Sequence, residues 1–140
     1  MPTPTLRWTP RTSSDAMLYS NDGLVERFAQ EHGTSLHDAG QQFAGLKQFL
    51  FTCAAVPGTH TPPDGVAAMW RLFLTSSKDY RQFCHGYLGR FIDHRTLAAP
   101  SRAAYLATRH AAEEVFGPLD EELWPLGDAQ ASGDDNGTET

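Results

Sequence analysis

Apolar residues recur at intervals of three and four through most of the first 116 positions, the spacing of helix faces turned toward a shared core. Leu24, Val25 and Phe28 form the first such face, with Ser20 or Asn21 as its cap and Gly33 at the C-terminal position that needs a left-handed backbone. Thr34 or Ser35 then opens a longer helix running to about Cys53. Its stripe is Leu36, Ala39, Phe43, Leu46, Leu50 and Cys53. Gly40 and Gly45 inside it cost about 1 kcal/mol each in helix propensity, which implies close approach to a neighbour. Val56-Pro57-Gly58 stops the pattern. Thr61 as cap, with Pro62 at the first helical position and Asp64 in the first turn, predicts a third helix through Val66, Met69, Trp70, Phe73 and Leu74. Ser76 or Ser77 caps a fourth, whose Tyr80, Phe83, Cys84, Tyr87 and Leu88 give the strongest period in the chain before Gly89 closes it. Phe91 and Ile92 are expected to turn back into the core. A fifth helix spans 101–116, with Tyr105, Leu106, Ala112, Val115 and Phe116 inward and Gly117-Pro118 as a double stop.

These elements predict an all-α domain, a compact bundle of about five helices over residues 17–126. Residues 1–16, rich in Pro, Thr and Ser, read as an extended N-terminal arm pinned by Trp8. Leu119 to Leu126 is a short segment anchored by Leu123 and Trp124. Residues 127–140 combine Gly, Ser, Asn, Thr and acid, a composition that predicts a disordered acidic tail. No strand alternation and no internal repeat interrupt this picture.

Charge adds an asymmetry. Residues 71–109 hold seven basic and two acidic side chains, whereas residues 110–140 hold nine acidic and none that is basic. One reading is a local basic face with the acidic end as its intramolecular counterweight or as a hook for a basic partner; the other is that both are solvated faces. With a net charge of −6 and most aromatics on core-facing positions, nucleic-acid binding is not expected. No run approaches the ~18 apolar residues that would cross a bilayer, and the N-terminus lacks a basic-then-apolar leader. A cytoplasmic protein without membrane contact is expected. Cys53 and Cys84 form no CxxC pair and are expected as small, reduced, buried residues.

From the third helix onward the landmarks succeed each other in a distinctive order: Pro62-Pro63, Val66, Trp70, Phe73-Leu74-Thr75, Tyr80, Phe83-Cys84, Gly89-Arg90-Phe91-Ile92 and His94, then Phe116-Gly117-Pro118 and Trp124-Pro125. Over about residues 18–126 the chain resembles the glycine-rich-domain-containing-protein-like family of small helical domains. The resemblance implies a helical fold and transfers little mechanism. Where that family tends to carry Asp after Val and His after Trp, this chain has Ala67 and Arg71. An Asp and a His four apart share a helix face and, with a later His, would suit a metal or acid–base pair. That pair is absent here.

The remaining candidates are few. A metal set would draw on His60, Cys84 and His94, with His85 beside them, but adjacent Cys84 and His85 point about 100° apart on a helix. A Cys–His nucleophile would need Cys84 near His60 or His94, and no orienting third group is evident. An anion pocket is the sharper possibility, using Arg71, Tyr80, Arg90 and His94, with Arg95 following. No cofactor is implied. The expected function is a non-catalytic protein-interaction or adaptor module acting through a charged face, with a protein partner. The alternative is a small enzyme or a metal- or anion-binding protein with a residual pocket around Arg71, Tyr80, Cys84 and His94.

Overall fold

A computed structural model describes residues 12–94, 97 and 99–126. The first eleven residues with Trp8, the basic residue Arg95 and the acidic tail 127–140 lie outside the described residues. Among those described there are six α-helices and no strand. They are α1 (Ser13–Met17), α2 (Asp22–His32), α3 (Leu36–Ala55), α4 (Asp64–Thr75), α5 (Ser77–Phe83) and α6 (Arg102–Phe116), and a π-helical turn, Cys84–Leu88, extends α5. The all-α bundle expected from the apolar spacing is what forms.

Local chemistry explains most of the boundaries. The side chains of Asn21, Ser35 and Ser101 accept from the backbone N–H groups of Leu24, Asp38 and Ala104, satisfying donors that a helix start leaves open. Gly33 and Gly89 end their elements at φ 65° and 81°, a region costly for any residue with a Cβ. Three boundaries differ from the sequence reading. The end of the supposed extended arm is helical, because Thr12 caps α1 by accepting from the N–H of Asp15. Helix α4 begins at Asp64 with Pro63 at its cap and no side-chain cap bond, so Thr61 does not serve there. Instead the Thr61 N–H donates to Thr108 Oγ1 on α6 at 2.9 Å. The periodic fourth helix also widens in its last turn, where the Gly89 N–H reaches back five residues to the Cys84 carbonyl.

Helix α3 is the axis of the domain. It packs against α1, α2, α4, α6 and the π-helical turn. Phe43, Leu46, Phe49, Leu50 and Cys53 are buried on it, while Leu36, expected to join that stripe, is 59 % exposed at the helix start. Gly45 meets the close approach its sequence position implied: a Cβ there would lie 2.9 Å from Val66 Cγ2 on α4. Gly40 faces open space, so its presence has no packing cause. The aromatic residues interlock at the centre, with Phe73 edge-on to both Phe43 and Tyr80.

Polar clamps fix the two ends of the described chain to this axis. Lys47, only 8 % exposed, donates from Nζ to the carbonyls of Met17 and Tyr19 at 2.8 and 2.6 Å, closing the C-terminal end of α1. At the other end Trp124 is fully buried and its indole N–H donates to Gln48 Oε1 on α3. Arg109 on α6 donates to the Trp124 carbonyl and pairs with Glu113. These bonds press residues 119–126 onto α3, where Leu123 meets Gly45. No helix among the described residues is long and apolar enough to cross a membrane.

Candidate functional site

The four residues grouped by sequence as an anion pocket do not converge. Tyr80 is 1 % exposed and belongs to the core. Its hydroxyl accepts from the Trp70 indole N–H at 3.1 Å and donates to the Ile92 carbonyl at 2.5 Å, so both of its bonding directions are used internally. Arg71 lies on the surface, on a shallow hollow of about 260 Å³ shared with Glu31, His32 and Thr75. Arg90 borders a different cavity and donates to the Cys53 carbonyl near the end of α3. His94 stands 60 % exposed beside Asp93. A pocket built from Arg71, Tyr80, Arg90 and His94 together is therefore not formed. Adjacent positions on one helix diverge, and Trp70 takes the inward direction that Arg71 would need.

The alternative metal set fares no better. Among the described residues no three His, Cys, Asp or Glu side chains are placed to hold an ion. His60 is buried with Nε2 against the Val56 carbonyl at 2.9 Å and Nδ1 turned toward Thr108 Oγ1. Cys84 has no exposed surface, and its thiol is pushed up from its usual range by burial. Burial likewise raises Cys53 to about 12, against a smaller opposing pull from Arg90. Both thiols are free of any disulfide and stay protonated at neutral pH, when a nucleophile or a metal ligand would need the thiolate. Tyr80 is raised for the same reason, by desolvation first.

What the fold does assemble is a groove of about 520 Å³ between the C-terminal end of α2, the first half of α3, the start of α4 and residues 120–123. Its floor is apolar, from Phe28, Ala68 and Leu123. Acidic side chains stand on both walls: Asp38 from α3, Asp120 and Glu122 from the segment after α6. The imidazole of His32 stacks on Phe28 at 4.1 Å between ring centroids, and His37 also lines the groove. Between these walls lies Gln42. Its amide rests flat over Gly65, where an added Cβ would come within 2.5 Å of Oε1 and 2.9 Å of Nε2. The oxygen is buried and accepts no hydrogen bond. That oxygen is closed to solvent against Gly65, so what the groove offers a guest is its apolar floor and the carboxylates of Asp38, Asp120 and Glu122, which favour a cationic group.

The local sequence explains how these groups arrive together. Ser35 caps α3 and places Asp38 in its first turn, where a carboxylate favours the helix dipole. Asp120 accepts from the Glu122 N–H in a tight turn that turns both acids to one side before Leu123 and Trp124 dive inward. Gln42 and Lys47 were not singled out by sequence reasoning. A polar residue beside a buried stripe reads as surface until the neighbouring element is known. The acidic block after residue 110 was visible, and part of it supplies one wall.

No family model, no curated protein and no solved structure matches this chain.

Proposed function

We propose that this chain is a non-catalytic protein-interaction module whose recognition surface is the groove with acidic walls, and that its partner inserts a lysine or arginine side chain from a basic segment. The observation that carries the reading is the placing of Asp38 on one wall against Asp120 and Glu122 on the other, over an apolar floor that the Gln42 amide helps to shape. The aliphatic stem of a long basic side chain would cover Phe28, Ala68 and Leu123 while its charged head met the carboxylates. The groups with nucleophilic or acid–base chemistry serve the interior instead: Tyr80, His60, Cys53 and Cys84 are buried, three of them in hydrogen bonds to backbone or thiol neighbours. Two unpaired thiols support a cytoplasmic setting as part of the same proposal.

The test uses a short fluorescent lysine-rich peptide and its glutamate counterpart with the intact protein. Saturable binding of the basic peptide alone, weakening as salt is raised, is expected. Neutralising Asp38→Asn with Glu122→Gln should weaken it about tenfold or more, whereas Glu114→Gln with Glu121→Gln, the same charge change outside the groove, should not. Equal losses from both pairs would reduce the effect to net charge and overturn the proposal.

A further inference from the structure

A second cavity is separate from the groove and shares no lining residue with it. It has a volume of about 320 Å³, at the small end of the range for small-molecule sites. Its walls come from the end of α3 (Cys53), the loop before α4 (Thr59, His60), the face of α4 (Trp70) and the segment after Gly89 (Arg90, Phe91). Two aromatic side chains therefore line one space, and Phe91, expected to plug the core, is 42 % exposed instead. Its neighbour Ile92 takes the core position, 3 % exposed, and its carbonyl is held by the Tyr80 hydroxyl. That bond fixes the backbone between Arg90 and Asp93, so the cavity wall is built on an anchored strand of chain rather than on loose side chains.

The polar groups narrow the chemistry of a guest. Among the described residues Arg90 is the cation of the lining, and its Nη2 donates to the Cys53 carbonyl at 2.8 Å, which holds the guanidinium at the end of α3. A planar fork so held suits a carboxylate, which it can grip through two parallel bonds. Asp93 also lines the cavity, 3.8 Å from the His94 imidazole. A carboxylate in the lining repels a dianionic phosphate more than it repels a single carboxylate. His60 offers no competing donor, because its Nε2 faces Val56 and its Nδ1 faces Thr108. Cys53 presents a protonated thiol, an apolar surface in practice.

We infer that this cavity binds a small aromatic carboxylate, its ring against the exposed Phe91 beside the edge of the buried Trp70 and its carboxylate on Arg90. The inference does not depend on the protein-interaction reading, since the two sites occupy different faces. Phenylacetate, benzoate and indole-3-acetate are the probes, each compared with its neutral amide, and binding is followed by ¹H–¹⁵N correlation spectra of the full chain. Saturable shifts are expected at the Trp70 indole N–H and at residues 58–60 and 90–93, with a Kd of about 1 mM or tighter for at least one acid. The matching amide should bind at least about tenfold more weakly, a comparison made on the unaltered protein. Arg90→Gln should remove the preference for acid over amide, and Arg90→Lys should restore part of it. Shifts that do not saturate for any of the three acids would overturn the inference. So would equal binding of acid and amide, or shifts centred on Gln42 and Leu123.

Discussion

Removing one oxygen tests the interior most sharply. Tyr80→Phe keeps the ring that meets Phe73 and Phe91 edge-on, at 5.1 and 5.5 Å between centroids, and deletes only the hydroxyl. Two buried partners lose their bond at once, the Trp70 indole N–H at 3.1 Å and the Ile92 carbonyl at 2.5 Å. Each group left unsatisfied in the interior costs about 1–3 kcal/mol, so the change should destabilise the domain by about 2–4 kcal/mol. Urea unfolding followed by tryptophan fluorescence reads this as a lower midpoint at unchanged slope, a drop of roughly 1–3 M. Trp70→Phe should cost less at this hydroxyl, because Tyr80 keeps its bond to Ile92. The double variant should show a coupling of about 1 kcal/mol between the two positions. A Tyr80→Phe loss below about 0.5 kcal/mol would refute the reasoning, since it would mean that water or another group already serves both partners.

Other expectations follow from single contacts. Lys47→Met should lower stability by about 1–3 kcal/mol and speed amide exchange at residues 16–19 far more than in α3, because Met17 and Tyr19 lose their shared donor. Exchange unchanged at those amides would show that α1 docks without the lysine. Gly65→Ala should change stability by no more than about 1 kcal/mol, since a gain in helix propensity offsets a flexible clash, yet it should displace the Gln42 amide and weaken the lysine-rich peptide. Intact peptide binding would detach Gln42 from recognition. The Cys53 thiol has a folded pKa raised from 9.0 to about 12 by burial, so its contribution to stability is fully present below pH 9 and is lost as pH climbs toward 12. Tyr105, raised from 10.0 to about 12 by burial, acts in the same direction above pH 10. Urea midpoints measured from about pH 8 to pH 11 should therefore fall, and Cys53→Ala should flatten the fall by up to about 1.4 kcal/mol per pH unit. An identical slope in the variant would place that thiol in water.

The helices were legible because a buried face has a period that the chain must repeat. Phe43, Leu46, Leu50, Trp70, Phe73, Tyr80 and Phe83 all lie inside where their spacing put them. The caps Asn21 and Ser35, each one of two offered positions, and the stops Gly33 and Gly89 were readable for a similar reason, since each answers a local backbone need. The failures share a cause too. Thr61 satisfies every local rule for an N-cap, but its N–H is claimed by Thr108, forty-seven residues away. Leu36 fits its stripe and still faces outward, because among the described residues no element covers it at the first turn of α3. The site was harder for the same reason. Arg71, Tyr80, Arg90 and His94 are close in sequence, and closeness in sequence scattered them over a core position and separate surfaces. The groove draws on residues 28 to 123, so its walls exist only after α2, α3 and the segment beyond α6 have met.

The claim at the centre is that the charged groove, rather than the buried tyrosine and thiols, is where this protein meets its partner. Titrating the lysine-rich peptide into ¹⁵N-labelled protein tests it directly. Shifts should gather at His32, Asp38, Gln42, Gly65 and Leu123, with the Gln42 side-chain amide among those that move most. Shifts spread evenly over the acidic surface, or concentrated around Arg90 and Phe91 with Gln42 unmoved, would contradict it.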